Sequence, residues 1–195
     1  MAAGRVEVGA SLLGGAACAV FAALAATVLP GRLDMLAAAI LGGCMAAVAI
    51  EDLRRLRLPD AVLYAAAALG LAASARDTPL VGLEPLSAIG WSALSLVLCA
   101  GAFYALREGY HRLRGIDGLG LGDVKLAGVG GAWIGWQGFA TAVTIAALAA
   151  LCFVAVRIML RGPWPAARKI PLALFLAPAI WGVWYAMRLE GLAFP

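Results

Sequence analysis

The chain has 195 residues, of which 64% are apolar and only 13% charged, and its mean hydropathy is +0.95. Soluble domains carry about 25% charged residues, so an ordinary soluble fold is excluded. The formal charge of +4 comes without the basic stripe and aromatic platforms that a nucleic-acid partner requires.

Windows of about 20 residues give seven candidate spans, near 9–29, 35–51, 60–75, 86–106, 122–136, 138–160 and 171–189. The third and fifth are short, so six to seven spans are expected. The fold class is all-α, a polytopic transmembrane helical bundle with the lipid bilayer as its solvent. The 24 glycines on an Ala/Leu background suit small-residue packing between such helices. No polar stretch approaches the roughly 50 residues of a minimal domain, so residues 1–195 read as one membrane-embedded unit. Arg5 precedes the first span and Ala23-Leu24-Ala25 lies within it, which admits a cleaved signal peptide. Its apolar run is longer than a usual h-region, and it is read as an accessory span ahead of a core at about 35–190.

Arginine and lysine orient the spans. With the 51–60 loop in the cytoplasm, twelve of the 15 basic residues fall on that side, leaving Arg32, Arg76 and Arg188 outside. The N-terminus is then inside and the C-terminus outside. Trp133, Trp136, Trp181 and Trp184 lie towards the external ends of their helices, where an interfacial belt or core packing is expected. Cys18, Cys44, Cys99 and Cys152 sit in apolar spans without C-x-x-C spacing. They read as small buried residues, not as a zinc site or a disulfide framework.

Two carboxylates interrupt the apolar pattern. Asp52 closes the second span in Glu51-Asp52-Leu53-Arg54-Arg55-Leu56-Arg57-Leu58-Pro59. Asp123 opens the fifth in Gly118-Leu119-Gly120-Leu121-Gly122-Asp123-Val124-Lys125. They are 71 positions apart yet share one depth on this topology. A carboxylate at a bilayer edge is costly and marks function. Paired carboxylates perform hydrolysis when one takes a proton from water and the other donates one. Like charges at short range cannot both ionise freely; helix-end electrostatics favour the ionised form at Asp123, at a helix start, a preference that Arg54, Arg55 and Lys125 can reverse, so which aspartate is the base stays open.

Leu121 to Trp136 gives only about 24 Å of helix against a core of about 30 Å. The chain is therefore expected to enter irregularly through Gly118, Gly120 and Gly122, beside water, with Gly122 using the φ > 0 conformations open to glycine. The competing reading is a flexible loop followed by a helix capped by Asp123. Glu51 projects about 100° from Asp52. Asp60 and Asp117 are expected in solvated loops, and Arg54, Arg55 and Arg57 as positive-inside anchors. His111 is the single histidine, which argues against a hydrolytic triad or a His-rich metal site.

At these residues the chain resembles the type IV prepilin peptidases, membrane GxGD aspartic proteases. Asp52-Leu-Arg-Arg-Leu-Arg-Leu-Pro59 is similar to one family motif. Gly120-Leu-Gly-Asp-Val-Lys-Leu126 followed by Gly131-Ala-Trp-Ile-Gly135 is similar to the family's G-x-G-D-x-K-L…G-A-W-x-G. The resemblance runs from about Leu36 to Ala177. It implies Asp52 and Asp123 as catalytic residues, with Gly120, Gly122 and Lys125 supporting the motif. It further implies prepilin or pseudopilin-like membrane substrates, cleaved at the cytoplasmic face of the bacterial inner membrane, and no metal or organic cofactor. The paired C-x-x-C zinc motifs that accompany N-methylation in bifunctional members are missing, so the short peptidases of tight-adherence pilus systems look closer. Asp60 stands where Asn is common, and Leu172-Ala173-Leu174 replaces F-G-P. Two other readings stay open: a small transporter relaying protons through the two aspartates, and a GxGD protease of unrelated membrane substrates.

Reporter fusions are expected to place 51–60, 107–121 and 161–170 in the cytoplasm and 76–85 outside. A map putting the two acidic segments on opposite faces would separate Asp52 from Asp123.

Overall fold

The computed structural model describes residues 32–55, 58–75, 85–115, 118–161 and 171–190. The expected first span, Asp117 and the basic loop at 162–170 lie outside the described residues. Five helices follow in order: α1 (Arg32–Arg55), α2 (Asp60–Ser74), α3 (Pro85–Arg114), α4 (Leu121–Arg161) and α5 (Ala173–Leu189). Leu33–Arg54, Leu86–Arg114 and Leu121–Leu160 are long and apolar enough to cross a membrane, while α2 and α5 are shorter apolar helices.

The 41 residues of α4 do not form one rod, because Gly135 has φ 65° and ψ 173°, well outside the helical region. A Cβ on Gly130 would lie 2.5 Å from the Phe139 ring. Residues nine apart on a straight helix are separated by about 13.5 Å, so the chain doubles back at Gly135. The expected fifth and sixth spans are the two arms of α4, and the turn falls at Gly135, not at residue 137. Among the described residues, six apolar helical segments therefore form the bundle.

The first arm packs on α3 through small residues. Gly131 faces the Ser95 carbonyl and Cys99 Sγ, while Gly128 faces Ala100 and Leu96. Ser92 Oγ donates to the Ala132 carbonyl at 2.8 Å. The spacing of Ser92, Ser95 or Leu96, and Cys99 or Ala100 is one helical face of α3, and without side-chain bulk the two backbones approach closely.

Tryptophans join the remaining helices. Trp133 Nε1 donates to the Ala66 carbonyl of α2 at 2.7 Å, and its ring occupies the space a Cβ on Gly70 would need. Trp181 Nε1 donates to the Ala38 carbonyl of α1 at 3.0 Å. Trp133 and Trp184 meet edge to face at 6.1 Å, and both are buried. These two belong to the core and not to an interfacial belt; of the four, Trp136 is 52% exposed, as a belt residue needs. Depth along a span does not say which way a side chain faces, and burial decides for core duty at these two. The cysteines also divide, with Cys99 buried, Cys44 intermediate and Cys152 exposed.

Polar contacts identify the two ends of the bundle. Arg188 pairs with Asp34 at 3.6 Å, so the end of α5 meets the start of α1. Lys125 pairs with Asp60 at 2.7 Å, joining the starts of α4 and α2. Arg107 Nε donates to the Leu119 carbonyl at 3.1 Å, bringing the last part of α3 to the same place.

Gly131→Ala is expected to push a methyl into the Ser95 carbonyl. At about 1–3 kcal/mol for overpacking and about 2–4 °C per kcal/mol for a chain of this size, the thermal midpoint in detergent falls by about 2–12 °C. Gly101→Ala, with open space at its Cβ, is expected to leave the midpoint unchanged or raise it.

Candidate active site

Asp123 lies in the first turn of α4, where it serves the helix start. Gly120 is the capping position: its carbonyl accepts from Val124 N–H at 3.4 Å, and its own N–H donates to Asp123 Oδ2 at 3.3 Å. A third-position side chain reaching back to the cap residue is one half of a capping box. Asp123 therefore supports the helix start from its third position and is not itself the cap residue.

The glycines before Asp123 act through space. The Tyr110 ring lies 2.5 Å from where a Gly118 Cβ would be. Gly122 is already helical and does not have a positive φ, which corrects the expected reason for it: among the described residues only Gly115 and Gly135 do. It is small because Leu58 lies on it, with Leu58 Cβ and Cδ1 each 3.1 Å from a built Cβ. The irregular entry is thus confined to the residues before Leu121. It is held by Arg107 on the Leu119 carbonyl and by Tyr110 over Gly118.

Asp52 sits near the end of α1 and is buried, at 5% exposure. The start of α5 meets it. Leu172 precedes that helix, and its carbonyl accepts from Phe175 and Leu176 N–H at 3.0 Å each. The first amides of a helix have no partner within it, and here the N–H groups of Ala173 and Leu174 serve as backbone donors to the Asp52 carboxylate. Oδ2 of Asp52 is buried and has no hydrogen-bond partner among the described residues. Leaving a buried polar atom unpaired costs about 1–3 kcal/mol, so fold stability does not account for this residue. Asp52 also lies within Coulombic range of Asp123. Both carboxylates lie beside helix-start amides, Gly120 for Asp123 and Ala173 and Leu174 for Asp52.

The other candidates divide. Lys125, two residues past Asp123, binds Asp60 at 2.7 Å and lies 5.2 Å over the Tyr64 ring. Asp60 opens α2 and is ion-paired, which corrects its placement in a solvated loop. Glu51 is half-buried and Arg54 exposed. Leu58, Arg107, Tyr110 and the α5 amides escaped the sequence reading. Arg107 looked like one more inside-facing base, and a backbone N–H has no sequence signature.

The type IV leader peptidase family model matches residues 39–155, a stretch that holds both aspartates. The prepilin leader peptidase/N-methyltransferase of Aeromonas salmonicida (strain A449) is 32% identical over 160 residues, 81% of this chain and 51% of that protein. The counterpart of the same name from Dickeya chrysanthemi is 34% identical over 124 residues, 63% of this chain and 40% of its own. Leader peptidase HopD of Escherichia coli is 36% identical over 89 residues, 46% of this chain and 56% of that one. The chain spans about half the length of the prepilin leader peptidases of Aeromonas that it matches. No solved structure matches.

A Leu58→Cys/Gly122→Cys pair, made with the native cysteines replaced, is expected to cross-link under mild oxidation. A built Gly122 Cβ lies 3.1 Å from Leu58 Cβ, slightly inside the about 3.5–4.5 Å of disulfides. Peptide mass spectrometry reads the link; failure to form it would detach Leu58 from the first turn of α4.

Proposed function

As this chain belongs to the type IV leader peptidase family, we propose that it is a membrane aspartic endopeptidase that removes the leader from prepilin-like precursors. The reading is supported by the Coulombic proximity of Asp52 to Asp123, 71 positions apart in sequence, at one end of an apolar bundle.

In the proposed reaction the carboxylates share one proton. The ionised member accepts a proton from water as its oxygen attacks the scissile carbonyl, and the protonated member donates to the developing oxyanion. The unpartnered Asp52 Oδ2 and the Asp123 oxygen not used by Gly120 are the atoms free for this exchange. On collapse of the tetrahedral intermediate the newly protonated carboxylate gives its proton to the leaving amine while the other takes one back from a diol hydroxyl, so the pair again shares one proton with no metal or organic cofactor. The N-methyltransferase step named for the relatives is outside the proposal, since the four cysteines at 18, 44, 99 and 152 include no C-x-x-C pair. The basic asymmetry of the loops supports a site that faces the cytoplasm. A proton-relay transporter is disfavoured because both carboxylates sit at one end of the helices, away from the middle of the bundle.

Asp52→Asn and Asp123→Asn are each expected to abolish cleavage of a purified prepilin in detergent, where no gradient exists. Both variants should still insert in the membrane. Residues that act as a unit are non-additive, so the double variant is expected to be no worse than either single. Glu108→Gln, which removes an exposed pair with Arg112, is expected to cleave normally. Wild-type rates in both Asn variants would end the aspartic reading. An active Asp52→Asn beside an inactive Glu51→Gln would move the site by one residue.

A further inference from the structure

Lys125 is the motif residue that the proposed chemistry leaves without work. It follows Asp123 by two positions, about 200° around the helix, and so projects away from the face that carries the carboxylate. Its Nζ is 2.7 Å from Asp60 Oδ1 and 5.2 Å over the Tyr64 ring. Asp60 is the first residue of α2. Pro59 before it closes the helix start, its carbonyl accepting from Val62 N–H at 3.1 Å and Leu63 N–H at 3.2 Å. On the other side of Pro59, Leu58 covers Gly122. The three residues 58–60 therefore grip the first turn of α4 at two points that straddle Asp123 in sequence. The same three residues follow the end of α1 closely, and Asp52 lies six positions before Leu58.

We propose that the Lys125–Asp60 ion pair is a clasp that sets the register of the Asp52-bearing segment against the Asp123-bearing helix, so that Lys125 and Asp60 are positioning residues for the carboxylate pair. The inference rests on the peptidase reading above. Two features of the pair favour alignment over stability as its task. Its side chains are 32% and 60% exposed, and pairs so exposed add little to stability. It also spans 65 positions, joining two helix starts at the site and bracing nothing within either helix. Small displacements of paired catalytic groups are expensive in rate, so a contact of minor thermodynamic weight has leverage there.

The test is steady-state cleavage of a purified prepilin by the full chain in detergent, with the wild type measured first. Lys125→Met and isosteric Asp60→Asn are each expected to lower kcat about tenfold, with KM altered less than twofold and the thermal midpoint unchanged. The double variant is expected to be no slower than the slower single, because one contact has been removed twice. Lys125→Arg, which keeps the charge, is expected to retain most of the rate. Wild-type kcat in Asp60→Asn overturns the clasp, as do losses that multiply in the double variant. A Lys125→Met defect that appears in KM alone also overturns it, since Lys125 would then be touching substrate. A wild type that fails to cleave overturns the peptidase reading itself, and the inference with it.

Discussion

Between Gly131 and the Ser95 carbonyl there is room for a hydrogen atom and nothing larger. Lipid tails are as apolar as leucine, so burying apolar surface gives helices in a bilayer little reason to associate, and close backbone approach has to supply it. The first arm of α4 is laid on α3 by that contact and by the Ser92–Ala132 hydrogen bond. Everything else refers to this arm. Trp133 carries α2 on it through Ala66 and meets α5 through Trp184, while the reversal at Gly135 fixes how far down the bundle Asp123 hangs.

The same geometry explains why the chain tolerates Asp52. An unpaired carboxylate inside an apolar bundle is among the costliest groups a fold can carry. The start of α5 offsets part of that cost with the amides of Ala173 and Leu174, groups that any helix leaves unspent in its first turn. The offset is incomplete, since Oδ2 has no partner among the described residues.

Much of this was legible in the sequence, for reasons that can be named. Asp52 and Asp123 stand out because carboxylates are rare in apolar segments, and the helices follow from hydropathy alone. Their depth was legible too, because basic residues cluster at the ends. What hydropathy lacks is azimuth. It places Trp133 and Trp184 near span ends without saying that they face inward, and it cannot say that Asp60 and Lys125, 65 positions apart, turn towards one another. Gly122 was singled out for its backbone freedom, whereas its neighbour Leu58 is the reason for it. The donors on Asp52 are main-chain groups of apolar residues, which no residue code records.

The helices that begin at the carboxylates are short. α2 has 15 residues and α5 has 17, and the arm of α4 that ends at Gly135 is of similar length; at 1.5 Å per residue these span only about 21–26 Å. The hydrocarbon core of a bilayer is about 30 Å thick. By contrast α3 has 30 residues, and the second arm of α4 continues to Arg161, two turns beyond Phe153, which packs on Phe175 near the start of α5. Lipid beside short elements thins or yields to water at their ends. A bilayer around the bundle would therefore thin at this end, where three helix starts lie among longer helices.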